Sequence, residues 1–167
     1  VGMQSGGWTI SWQGGMGQTT NGTTILDAIK SAVDPGTVVE YTPDGTSFTG
    51  DLAVVVVGEK PYAEMIGDRK DLKLDNEDLG VIKRLTEKDI PVVVVLLSGR
   101  PMIVTDEIGK WDGFIAAWLP GTEGTGVADV LFGDYKPTGK LSFSWPKNMN
   151  QFPIDPNDDH LFSFGFG

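Results

Sequence analysis

"LAVVVV" at positions 52–57 carries no polar side chain on either face of an extended chain, and the fold follows from that. A strand with one face in water alternates apolar and polar residues. One that is apolar throughout is covered on both sides, as in a parallel sheet layered by helices. Working outward, "PVVVVLL" at 91–97 repeats the signature and "GFIAAWL" at 113–119 adds a third strand. Between the first two, "NEDLGVIKRLTEK" at 76–88 puts Leu79, Ile82 and Leu85 on one face of a helix. Upstream, "TTILDAIKSAV" at 23–33 does the same with Ile25, Ile29 and Ala32, flanked by Leu26 and Val33. Thr23 or Thr24 caps that helix and "DPG" at 34–36 stops it. "VVEY" at 38–41 reads as a strand, "MIVTDEIGK" at 102–110 as a weaker helix and "GTGVADVLFG" at 124–133 as a helix. "KLSFSW" at 140–145 alternates like a strand near a sheet edge. The expectation is a three-layer α/β/α sandwich on a mostly parallel sheet of about five to six strands, one edge strand antiparallel. Residues 1–167 form one domain without internal repeat or linker.

Composition narrows the function classes. The chain has 167 residues, 40% hydrophobic and 22% charged, enough for one domain with a real core. A formal net charge of -10 repels phosphate backbones, so a nucleic-acid partner is not expected. No apolar run is long enough to span a membrane. Without cysteine there are no disulfides or thiolate metal sites, and the single histidine, His160, argues against a histidine metal centre or a Ser-His-Asp triad. The carboxylates lack the spacing of a calcium loop. Neither a metal nor a cofactor is expected.

Three loops follow the carboxyl ends of the buried strands: "GEKPYAEMIGD" at 58–68, "SGRP" at 98–101 and "PGTEG" at 120–124. Ligands of open parallel sheets gather at that edge. The first loop gathers Glu59, Glu64 and Asp68 beside Pro61, Tyr62 and two glycines. Glu59 abuts the strand end and suits a bond to backbone amides or to a neighbouring cation. Asp68, next to Gly67, suits a turn. Glu64 lies between Ala63 and Met65 with Tyr62 close by, the half-apolar setting that suits a proton donor.

A fourth segment, "GGWTISWQGGMGQTTNG" at 6–22, is rich in glycine and carries two tryptophans. Its "GMGQTT" follows strand-like "WTISW" and precedes a helix, with Glu40 ending the next strand, which is much of a dinucleotide fingerprint. Thr20 in place of the third glycine and the bulk of Trp12 count against that reading. The same residues also suit a sugar platform, with the indole of Trp12 stacked on a pyranose face. Trp118 and Trp145, within or beside strands, read as core.

"GGWTISWQGGMGQTTNGTTILDAIK", "VVVVGEKPYAEMIGD", "LLSGRPMIV", "AAWLPGTEGTGVADVLFGDYKPTGKLSFSWP" and the closing "LFSFGFG" occur in this order. Together they resemble the second domain of family 3 glycoside hydrolases, in the β-glucan exohydrolase and β-glucosidase branch, from about residue 5 to the end. The resemblance implies a two-domain active site on a β-glucoside or β-glucan oligosaccharide, with the nucleophilic Asp on a preceding TIM-like barrel. The second glutamate of "GE-x-P-Y-x-E", Glu64, becomes the general acid/base, with Glu59, Tyr62 and Asp68 in support. The second tryptophan of "GGW-x-x-x-W", Trp12, becomes one wall of a sugar clamp. The barrel and the domain's first strand are not in this sequence. The expectation is therefore a fragment that depends on its missing part for stability and activity. The family also favours a periplasmic or secreted setting. A non-catalytic glucan-binding module is the alternative.

Overall fold

The computed structural model describes all residues, Val1–Gly167. Three parallel strands form one sheet in the order β1 (Ala53–Gly58), β2 (Val92–Leu97) and β3 (Gly113–Trp118). Ala53, Val55 and Val57 pair in register with Val92, Val94 and Leu96, and Val94 and Leu96 pair with Phe114 and Ala116. Because side chains alternate along a strand, these residues share one face. They meet Ile82 and Leu85 of a helix at Asn76–Thr86, together with Leu74, Met102, Val104 and Trp145. The opposite face, Val95 and Leu97 with Val54, Ile115 and Ala117, is covered by Ile25 and Val127.

Four helices can be numbered along the chain: a single turn α1 (Gly2–Ser5), α2 (Ile25–Ala32), α3 (Asn76–Thr86) and α4 (Gly124–Phe132). α2 and α4 pack together on one face of the sheet and α3 on the other, so the layers are α/β/α. Thr24 caps α2: its hydroxyl accepts from the Asp27 amide at 3.0 Å and donates to Asp27 Oδ2 at 2.6 Å. Gly133, left-handed at φ 84°, ends α4. Buried Gln4 ties the amino terminus in. Its Nε2 donates to the carbonyls of Thr23 and Gly121, and its Oε1 accepts from Ile25 N–H. No helix is long and apolar enough to cross a membrane.

The strand count is corrected: the sheet has three parallel strands, not five to six, and no antiparallel edge strand. "VVEY" is not a strand. Val38 and Tyr41 are exposed, and Glu40 turns to bond Thr49. A short β-branched run forms a strand only when a neighbour lies within ladder distance, and residues 38–41 do not pair with the open edge of β1. "KLSFSW" keeps only one antiparallel bridge, Trp145 to Phe162. Pro146 follows at once and has no amide to extend the ladder, while the Trp145 ring is drawn into the core. "MIVTDEIGK" shrinks to a short 3₁₀ turn, Ile108–Lys110. Of the strands read as covered on both faces, β2 is so on all but Val93, whereas Val56 of β1 reaches solvent.

Candidate functional site

Register brings the site together. Gly58 and Leu97 end paired strands, so the residues just beyond, Glu59 and the 98–101 loop, emerge side by side. Glu59 is the buried carboxylate of the acidic loop, its side chain only 4% exposed. Arg100 grips it from two nitrogens: Nη2 lies 2.6 Å from Oε1, and Nε lies 3.1 and 3.2 Å from the two oxygens. Arg69 adds a looser contact at 3.6 Å. Tyr62 donates its phenol to Glu59 Oε2 at 3.1 Å, and the Arg100 guanidinium lies 4.7 Å above the Tyr62 ring. Burial, and then the charge of Glu59, raises the Tyr62 pKa above the ordinary phenol value, so the hydroxyl remains a donor. These residues line a cleft of about 200 Å³ with Ile66 and Asp75.

Glu64 behaves differently. It opens a 3₁₀ turn, Glu64–Gly67, with a left-handed backbone (φ 52°) and an exposed side chain, flanked by exposed Met65 and Ile66. Left-handed conformations in non-glycine residues carry strain and collect at functional sites. Trp8 (φ 62°), Ile10 (φ 66°) and Trp118 (φ 53°) share the feature. Trp118 ends β3 just past a register shift opposite Leu96 and Leu97, and such a shift re-aims the side chain.

The glycine-rich segment lies directly on the acidic loop. Gln13 Oε1 accepts the Ala63 amide at 2.9 Å. A Cβ on Gly7 would stand 1.9 Å from the Tyr62 carbonyl oxygen, so only glycine fits there. Trp8 N–H donates to the Trp12 carbonyl at 2.9 Å and curls the segment. The two indoles sit 6.3 Å apart, with Trp12 50% exposed.

Of the expected site residues, Glu59 and Tyr62 form one bonded cluster, together with Arg100. Glu64 and Trp12 stand on the two segments that Gln13 joins. Asp68 is exposed past the 3₁₀ turn, its amide donating to the Met65 carbonyl at 3.1 Å. Sequence reading missed Arg100, Arg69 and Gln13. Arg100 had a signal: a cation just past one parallel strand faces a carboxylate just past its neighbour. Gln13 had none, because its partner is a backbone amide 50 residues away. The dinucleotide fingerprint has no structural counterpart. "WTISW" is not a strand, and α2 starts only at Ile25, well past Gly17.

Comparison with known proteins gives one pattern. The profile of the glycosyl hydrolase family 3 C-terminal domain matches residues 1–167. A periplasmic β-glucosidase of Salmonella typhimurium is 38% identical over 106 residues, covering 62% of this chain and 14% of the relative. A lysosomal β-glucosidase of Dictyostelium discoideum is 30% identical, covering 98% of this chain and 24% of the relative. The crystal structure of an exo-1,3/1,4-β-glucanase from a Pseudoalteromonas species superposes with a TM-score of 0.90 at 44% identity, over 99% of this chain and 23% of that one. The chain thus spans about a quarter or less of each of these relatives.

Proposed function

The chain belongs to the glycosyl hydrolase family 3 C-terminal domain family, and from that premise we propose that it supplies the general acid/base and one wall of the sugar clamp of a retaining, exo-acting β-glucosidase or β-glucan glucohydrolase. Residues 1–167 are the second domain, and the nucleophile lies on a barrel domain outside them. The observation that carries the reading is the contrast within the acidic loop. Glu59 is buried and consumed by Arg100, whereas Glu64 is held out to solvent on a strained turn at the ligand-binding edge of the sheet.

A carboxylate of the barrel attacks the anomeric carbon while Glu64 protonates the departing oxygen. Glu64 then takes a proton from the water that resolves the glycosyl-enzyme. Retention requires the two carboxyl groups about 5–5.5 Å apart, which puts Glu64 at the boundary between the domains and accounts for its exposure in this one. Trp12 stacks on the sugar, Glu59 holds the loop through Arg100, and Tyr62 supports Glu59. Asp68 closes the turn that carries Glu64. The substrate is a β-glucoside or β-glucan oligosaccharide, in line with the names of the relatives, and the Salmonella relative's name favours a periplasmic or secreted setting.

The test is Glu64→Gln in the enzyme assembled with its barrel. Turnover of alkyl β-glucosides should fall by about 10²–10⁴-fold, with recovery on activated aryl glycosides when azide replaces the water that Glu64 would deprotonate. Unchanged kcat with a raised KM would instead identify a glucan-binding module, the reading that the exposed Trp8–Trp12 pair favours. Chain 1–167 assayed alone on an aryl β-glucoside should give no turnover, and robust turnover would refute the two-domain dependence.

A further inference from the structure

We propose that Gln13 is a positioning residue that couples the sugar wall to the proton donor, an inference that rests on the roles given above to Trp12 and Glu64. Its place in the chain is the argument. Gln13 follows Trp12, and its side chain accepts the amide of Ala63, the residue before Glu64, at 2.9 Å. One hydrogen bond therefore joins the two functional segments at the positions adjacent to the two functional side chains. The bond is part-buried, and the other polar atom of the side chain, Nε2, is buried without a partner. A side-chain amide whose only donor, Nε2, is left unmet in the interior is held there by the bond that its oxygen accepts.

Two close backbone approaches turn that bond into a seam. A Cβ on Gly7 would meet the Tyr62 carbonyl at 1.9 Å, and one on Gly14 would meet the Gly6 carbonyl at 2.3 Å and Pro61 Cβ at 2.9 Å. The glycine segment is thus pressed against Pro61–Ala63 on both sides of Gln13. Beyond Ala63 the chain turns into the left-handed conformation of Glu64, which needs support from its surroundings to persist. Losing the Gln13 acceptor orphans the Ala63 amide, frees that turn and lets the Trp12 segment lift. Both functional side chains then move together.

Gln13→Met keeps length and volume and removes the acceptor, whereas Gln13→Glu keeps the acceptor. In the barrel-containing enzyme, Gln13→Met should lower kcat on alkyl β-glucosides by about tenfold or more, since small misplacements of a catalytic group are costly. On a dinitrophenyl β-glucoside with azide present, where neither the leaving group nor the attacking nucleophile needs Glu64, the loss should be far smaller, and KM should rise for both through Trp12. Gln13→Glu should recover most of both losses. Glu64→Gln runs in parallel. If it lacks the leaving-group signature, the underlying reading fails. If it shows the signature while Gln13→Met matches the unaltered enzyme, or loses activity equally on both substrates, only the coupling fails. Amide hydrogen exchange on the unaltered enzyme gives a readout independent of any variant's folding. The Ala63 amide should exchange slowly, and exchange at the rate of an open loop would overturn the proposal.

Discussion

Arg100 and Glu59 form an unequal pair: the glutamate side chain is 4% exposed and the arginine side chain 25%. Removing either partner breaks the same contacts but leaves different orphans. Without Arg100, a buried negative charge keeps only Arg69 at 3.6 Å and the Tyr62 hydroxyl. Without Glu59, Arg100 still reaches water and still lies on the Tyr62 ring. Breaking a buried pair costs about 3–5 kcal/mol when nothing compensates. With Arg69 in reach, Arg100→Ala should cost about 2–3 kcal/mol, and Glu59→Gln clearly less. Denaturation midpoints of the two variants check the order. Equal costs, or a larger cost for Glu59→Gln, would show that the pair is not asymmetric.

Two glycines make a contrast of opposite sign. Gly7→Ala forces a methyl against the Tyr62 carbonyl oxygen, and both atoms belong to stiff backbone or Cβ positions that cannot swing aside. The loops must part, with a cost of several kcal/mol and loss of the Trp12–Glu64 arrangement. Gly126 sits exposed inside α4 with open space around it. There alanine should stabilise by about 0.5–1 kcal/mol through helix propensity. Thermal melts of both variants decide the matter, and a harmless Gly7→Ala would refute the close packing of the two loops.

Asp78 on α3 carries a pH signature. Its Oδ2 accepts the Gly58 amide at 3.2 Å at the end of β1, and burial pushes its pKa above the ordinary carboxylate value, with the amide bond opposing. A raised folded pKa means that the native state binds the proton more tightly than the unfolded one. The group therefore favours folding in acid, and that advantage is lost as pH rises through the raised folded pKa. Asp78→Asn keeps an oxygen for Gly58 and removes the charge. It should be more stable than the parent at neutral pH, with the gap narrowing as the pH falls through the raised folded pKa and closed below the unfolded value of 3.8. Denaturant titrations at pH 7 and in acid measure this, and a gap that widens in acid would reverse the sign of the argument.

How much of this was legible in the sequence depends on the range of each interaction. β1, β2 and β3 were readable because local composition reports burial, and α2, α3 and α4 because caps and periodicity are local too. "VVEY" was misread because strand formation depends on a neighbour, and the sequence of a segment does not say whether one is in reach; "KLSFSW" finds one in residues 162–166, but Pro146 cuts the ladder short. In the site, Trp12 stood out by its polar and glycine neighbours and Glu64 by the apolar Ala63, Met65 and Tyr62 around it, although the fold leaves Glu64 exposed. Gln13 and Arg69 did not, because their meaning lies in a backbone amide and a carboxylate that only the folded loops bring close.

Trp12 and Trp145 should respond to truncation in opposite ways. Trp145 is 1% exposed, donates its indole N–H to the Met102 carbonyl at 2.8 Å and packs edge-on against Phe114 and Phe162. Trp145→Ala removes that core contact and orphans the Met102 carbonyl, so the loss should reach about 3–5 kcal/mol. Trp12 is 50% exposed, with its ring beside that of Trp8, so Trp12→Ala should cost far less stability than Trp145→Ala. Its effect should instead appear on sugar. If its face stacks on a pyranose, KM for β-glucosides in the barrel-containing enzyme rises about tenfold, because stacked aromatic contacts carry binding energy of that order. Melting temperatures and steady-state kinetics on the same two variants separate the roles. An unfolded Trp12→Ala would make that indole a structural part of its loop, and an unchanged KM would remove it from the sugar site.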